Sequence, residues 1–298
     1  MHYIKLLGVT GLVLQFAACG GKTDDTGAEV AGTETEEETE ESDAFEWPQD
    51  TADAVTTYSN IVVASYEDSV ITATALNEAL AALIADPSTV TLGAAKDAWL
   101  ASREPYLQTE VYRFYEGPID NETDGPEGLI NAWPLDEVYI DYVIDDTTGA
   151  VDYSKGMVND PSITIDAATL EAANEAGGDA NIATGYHAVE FLLWGQDTDP
   201  NGPGNRSYTD YNDAGLAQNA ERRGQYLTTV GTMLVDHLLG VHDQWIEGAT
   251  YRTDFESDTA SAIEKMLTGM IILSGFETGG ERLQAALDAA DQEEEHSC

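Results

Sequence analysis

Apolar side chains between Asp50 and Ala85 return every three or four positions, with Val55, Tyr58, Val62, Tyr66, Val70 and Ala73 on one stripe. That is the period of an α-helix, so a helix is predicted over 50–85, stopped by Pro87. A second helix is predicted from Leu92 to Phe114, kinked at Pro105 and carrying Trp99, Arg103, Tyr106, Glu110 and Arg113 on one stripe. Gly117-Pro118 breaks the pattern, and 119–132 reads as loop. Pro134 suits the first turn of a helix with Leu135, Val138, Tyr142 and Val143, Asp136 and Glu137 lying near its positive end. The Gly-, Asp- and Thr-rich stretch 145–162 is a long connection. Helices are then predicted over 166–176, 183–194 (closed by Gly195), 216–246, 259–274 and 277–291, with a Pro- and Gly-held loop over 197–213. The longest has a seam of Leu227, Val230, Leu234, Leu238, Val241 and Trp245. No strand alternation appears, so the fold class is all-α. Roughly 250 residues of helix is large for one bundle, which predicts two packed helical bundles, 50–160 and 161–298.

The first residues follow a different pattern. Lys5 precedes an apolar run from Leu6 to Ala18 that stops at Cys19-Gly20-Gly21. A short charged and apolar run with a small-residue site is the form of a secretory signal, here 1–18, and too short for a membrane span. Phe16-Ala17-Ala18-Cys19 resembles the lipobox of bacterial lipoproteins, with Phe16 in place of the usual leucine. That resemblance implies a lipid on the Cys19 thiol and a membrane anchor, and the lack of an aspartate after Cys19 points to the outer membrane. Between 23 and 43 stand ten acidic residues and no basic one, so 19–49 is expected to be a self-repelling, unstructured tether.

Charge sharpens the choice of partner. The chain has 298 residues and a formal charge of −44, with 56 acidic residues against 12 basic ones. Nucleic acid and anionic lipid headgroups repel such a surface, so no nucleic-acid partner is expected. A cation is the natural counterpart, although an acidic surface also suits saline surroundings. With two cysteines, Cys19 and Cys298, no disulfide framework is possible for the fold.

Candidate chemistry centres on Gly185-Tyr186-His187-Ala188-Val189-Glu190. His187 and Glu190 stand three apart on a helix, so an imidazole and a carboxylate emerge on one face and can meet one cation. A hydrogen bond between them in an apolar core explains the same spacing equally well. The zinc-peptidase signatures fail, because Phe191 stands where the inverted His-x-x-Glu-His form needs histidine. Di-iron bundle sites need a second Glu-x-x-His pair, and none is present. Further donors would have to come from other helices: Glu110 with Arg113, which could equally form an internal ion pair, then Asp141, Asp197, Glu277, Glu281 and His296. Arg222 and Arg223 are two of only seven arginines, adjacent on the longest helix, and are expected to anchor acidic groups or bind an anion. Asp197 to Gly202 opens like a calcium loop, but Tyr208 stands at position twelve, so it reads as a turn. Asp236, His237 and His242 lack a recognisable nucleophile.

Several blocks in order carry a family resemblance: GYHAVEFLLWGQD from Gly185, EVYRFYEGPID from Glu110, NAWPLDEVYIDYV from Asn131, RRGQYL from Arg222 and ERL from Glu281. Together they resemble the imelysin-like family with its GxHxxE motif. The resemblance implies a bacterial envelope protein of two helical bundles, related to iron-regulated proteins and to the periplasmic component of elemental iron uptake. It places His187 and Glu190 in a metal-related site near the junction of the bundles, with Glu110 and Arg113 as the next choices. Iron or a similar cation is the expected cofactor or cargo, and an iron permease or outer-membrane receptor the expected protein partner. Glu293 to Cys298 resembles the start of a further family block, so the second bundle is expected to be incomplete here. A surface metallopeptidase and a non-catalytic protein- or heme-binding module are the alternatives.

Overall fold

A computed structural model describes residues 47–48, 50–145, 147–198, 202–212, 214, 217–284 and 287. Cys19, His296, the signal and most of the tether lie outside the described residues. The described part, from Trp47 onward, is one unit. Its helices are α1 (Thr51–Ala85), α2 (Thr89–Thr109), the single turns α3 (Glu127–Ile130) and α4 (Glu137–Ile140), α5 (Ala167–Ala173), α6 (Gly185–Trp194), α7 (Ala220–Trp245), α8 (Thr250–Ser257) and α9 (Thr259–Ile271). Short 3₁₀ turns occupy Glu110–Tyr112 and Tyr208–Tyr211, and a wide π-type helix prolongs α9 over Ile272–Gln284. Among the described residues there is no strand, only one antiparallel bridge between Ile144 and Val151. The all-α class is therefore observed.

α1 is the spine, packing on α2, α7 and α9 and, near its start, on α8. Its stripe is buried as the spacing requires: Val55, Tyr58, Val62, Tyr66, Ala73, Leu76, Leu80 and Leu83 enter one core with Trp99, Tyr106, Leu227, Leu234 and Trp245. Helix 1 is also long and apolar enough to cross a membrane by length and composition. That core joins elements from both sides of residue 160, where the boundary between bundles was expected.

Three departures from the periodicity have local causes. The second helix ends at Thr109 rather than Phe114, because the chain turns through Glu110–Tyr112 and Phe114 takes a left-handed φ of 73°. The carboxylate of Asp120 holds that turn by accepting from the amides of Phe114 and Gly117. The helix expected after Pro134 is only the turn α4, capped by Asp136 on the Val138 amide. Asp141 leaves it in extended backbone and points inward. Beyond Ile271, no break separates the two predicted terminal helices, which run on as one.

Candidate functional site

α6 carries the central pair. It enters through Gly185 at φ +82°, where a Cβ would lie 2.4 Å from the Ile130 carbonyl oxygen. Only glycine tolerates both the left-handed backbone and that approach, which explains the first position of GxHxxE. The entry is pinned from several sides. Thr184 donates its hydroxyl to Leu129 O, Asn174 accepts from the Ala183 amide, Tyr226 donates to Ala183 O, and the Trp99 indole donates to Tyr186 O.

His187 and Glu190 meet as the spacing predicts, with Nδ1 2.9 Å from Oε2. The imidazole is almost fully buried, and a quarter of the Glu190 side chain is exposed. Trp133 covers the imidazole, its ring 4.8 Å away. Burial pushes the His187 pKa below the ordinary imidazole value, assisted by the field of Arg103 and opposed by the Glu190 hydrogen bond. Arg103 stands over the rings of Tyr186, Tyr106 and Trp99 and donates to Asn131. The ring is thus neutral near pH 7, the form in which an imidazole is a ligand.

The other candidates do not join this pair. Glu110 is buried, yet its carboxylate is taken by Arg282, whose two amino groups reach its two oxygens at 2.9 and 2.7 Å. Arg113 lies 3.9 Å from Glu110 and makes its close pair with Glu127, at 2.9 Å. Asp197 and Glu281 are exposed. Glu277 holds Arg282 at 3.2 Å. Among the described residues, no group of three or more His, Cys, Asp or Glu side chains could hold a metal ion. Among the described His, Cys, Asp and Glu side chains, His187 and Glu190 therefore stand as a pair without a third, and they close on each other.

The imelysin profile (peptidase family M75) matches residues 62–298. The chain belongs to the imelysin family. Among curated proteins, iron-regulated protein A of Synechococcus elongatus (strain ATCC 33912 / PCC 7942 / FACHB-805) is 38% identical over 76 residues, which is 26% of this chain. The match spans 20% of that relative's length.

Around α6 the structure adds a buried ionic network. Asp141 is fully buried and accepts from Arg223 through Nε at 2.6 Å and its terminal amino group at 3.0 Å, and from Arg206 at 2.9 Å. Arg206 also reaches Asp210 at 3.2 Å, and Tyr142 donates to the same Asp210 oxygen. Burial alone would raise the Asp141 pKa, but the two guanidiniums hold it below the usual carboxylate range. Arg206 lies over the Phe191 ring of α6 and donates its amide to Trp194 O, so the network braces α6. Arg223 anchors an acidic group, as expected from the sequence. Arg222 instead donates to the carbonyls of Met157, Val158, Asp160 and Ile163, tying down the long connection. Arg206 and Asp210 drew no notice in the sequence, since their loop offers no period to place them.

Proposed function

We propose that this protein works in iron handling at a bacterial envelope, binding the cation as cargo through His187 and Glu190. Family membership and the iron-regulated relative support the class of cargo. The observation that carries the reading is the pair itself: a neutral imidazole nitrogen and a partly exposed carboxylate 2.9 Å apart on a rigid helix. Imidazole and carboxylate donors suit ferrous and ferric iron, zinc and copper alike. A cation bound there would take the place of the His-Glu hydrogen bond, the imidazole proton moving from Nδ1 to Nε2, and Glu190 is the ligand that solvent reaches. Lipid attachment at Cys19 and a permease or receptor partner complete the proposal.

Binding is favoured over hydrolysis by the position of Phe191. It is buried under Arg206 at 5.3 Å, where the inverted zinc-peptidase motif requires a ligand. A second reading has its own support: because the two donors satisfy each other and no third is described, the pair can act as a structural pin alone. Titration calorimetry with ferrous, ferric and zinc salts separates the two, using wild type, His187→Ala and Glu190→Gln. Cargo binding predicts at least about a tenfold loss of affinity in both variants, as expected when a principal donor is removed. Equal affinity in all three proteins, with lower melting temperatures for the variants, would establish the pin instead.

A further inference from the structure

The segment Ile272–Gln284 buries none of its residues, and Phe276 and Leu283 are each 61% exposed. It is joined to the rest of the fold in an unusual way. α9, on its N-terminal side, is seated firmly: at Gly269 a Cβ would lie 2.2 Å from the Val111 carbonyl oxygen, so the helix backbone rests on the Glu110–Tyr112 turn. Past Ile271 the helix widens to the π form, whose hydrogen bonding is rare over such a length and marks a place where helix geometry can change. Among the described residues, apart from the Ser274 hydroxyl, which donates back to the Met270 and Ile271 carbonyls of α9, the side-chain hydrogen bonds from this arm to the body are those of Arg282 to Glu110.

Those bonds are of a strong kind. The guanidinium meets both oxygens of a carboxylate that is 4% exposed, while Glu277 of the same arm holds the guanidinium from behind. Charge-assisted bidentate pairs are strong and geometrically selective. The neighbouring Arg113 is engaged by Glu127, whose pKa is raised by burial. Without Arg282, three carboxylates (Glu110, Glu127 and Glu277) would face Arg113 alone.

We infer that Ile272–Gln284 is a latched arm, that Arg282 is its catch, and that opening the catch frees the arm and uncovers the Glu110 carboxylate while the helical body stays folded. The inference is independent of whether His187 and Glu190 bind a cation. While closed, the guanidinium occupies the position a cation would take on Glu110, so the carboxylate is unavailable to any other positive group.

Hydrogen exchange on the full chain tests the latch, together with carbodiimide labelling of carboxylates read by peptide mass. In Arg282→Gln, amides of 272–284 should exchange at least about tenfold faster and Glu110 should label several-fold faster, with α1, α6 and α7 unchanged. Glu277→Gln should leave Glu110 as protected as in wild type, because the bonds to Glu110 remain. The double variant Glu110→Gln/Arg282→Gln strands no buried charge, and it should free the arm while the body keeps wild-type protection. Unchanged exchange in the arm of Arg282→Gln would overturn the inference. So would faster exchange throughout α1 and α7 in the double variant, which would make the pair a strut of the body.

Discussion

Removing the Asp141 carboxylate tests whether the buried network braces the fold. Asp141→Ala would leave Arg223, itself fully buried, with the carbonyls of Asp210 and Gln218 at 2.8 and 3.0 Å and no counter-ion. Arg206 would keep Asp210 at 3.2 Å. Two of three close guanidinium contacts to Asp141 come from Arg223, so the stranded charge is chiefly that arginine. Breaking a buried pair by deleting one partner costs about 3–5 kcal/mol, because the survivor stays desolvated. In a domain of this size each kcal/mol lowers the melting temperature by about 2–4 °C, so a fall of roughly 6–20 °C is expected. Thermal unfolding followed by helical circular dichroism, backed by urea titration, measures it. The cost should shrink in Asp141→Ala/Arg223→Met, since that variant leaves no stranded guanidinium. A single variant melting within about 2 °C of wild type, or a double variant no better than the single, would refute this account of the network.

Other perturbations read different parts of the structure. Gly185→Ala sets a methyl against the Ile130 carbonyl at a positive φ and should destabilise by roughly 2–4 kcal/mol in urea titration; a neutral result would contradict the close approach. In metal-free protein the lowered His187 pKa makes the unfolded chain bind protons first, so stability conferred at neutral pH is lost as pH falls below about 6.5 and levels off beneath the folded value. The stability gap between wild type and His187→Gln should therefore narrow from pH 7.5 to 5.5 by urea titration, and a constant gap would count against a buried neutral ring. Depression of the Asp141 pKa acts at the other end: its contribution is present above about 3.9 and disappears as pH drops through the lower folded value. Arg222→Ala should expose the 157–163 connection to limited proteolysis well before global unfolding, since its guanidinium holds four backbone carbonyls there.

Helices that bury a continuous stripe were legible. α1 and α7 begin and end within a few residues of where their periodicity places them, because many buried side chains act in concert. The His187 and Glu190 contact was legible for the same reason, as three residues on a helix bring side chains together whatever surrounds them. Glu110 and Arg113 show where that reasoning stops. They too stand three apart, but the chain leaves the α-helix at Glu110, and each carboxylate and guanidinium is claimed from elsewhere: Glu110 by Arg282 across 172 residues, Arg113 by Glu127. Partner choice among charges depends on tertiary placement, and no local period records it. The helix expected after Pro134 was misjudged similarly, since Asp141 obeys two distant arginines rather than the turn before it.

The place of α1 also bears on how the polypeptide reaches its final form. It emerges from the ribosome early, but Asn60 accepts its hydrogen bond from Arg252, 192 positions later. At about 5–20 residues per second of synthesis, this helix waits roughly 10–40 s for the segment that carries Arg252. Until α7 is made, it is a long greasy rod with its hairpin partner α2 as the principal shield. Chaperone binding to α1, and aggregation when chaperones are scarce, are the natural costs of building a domain around its first helix.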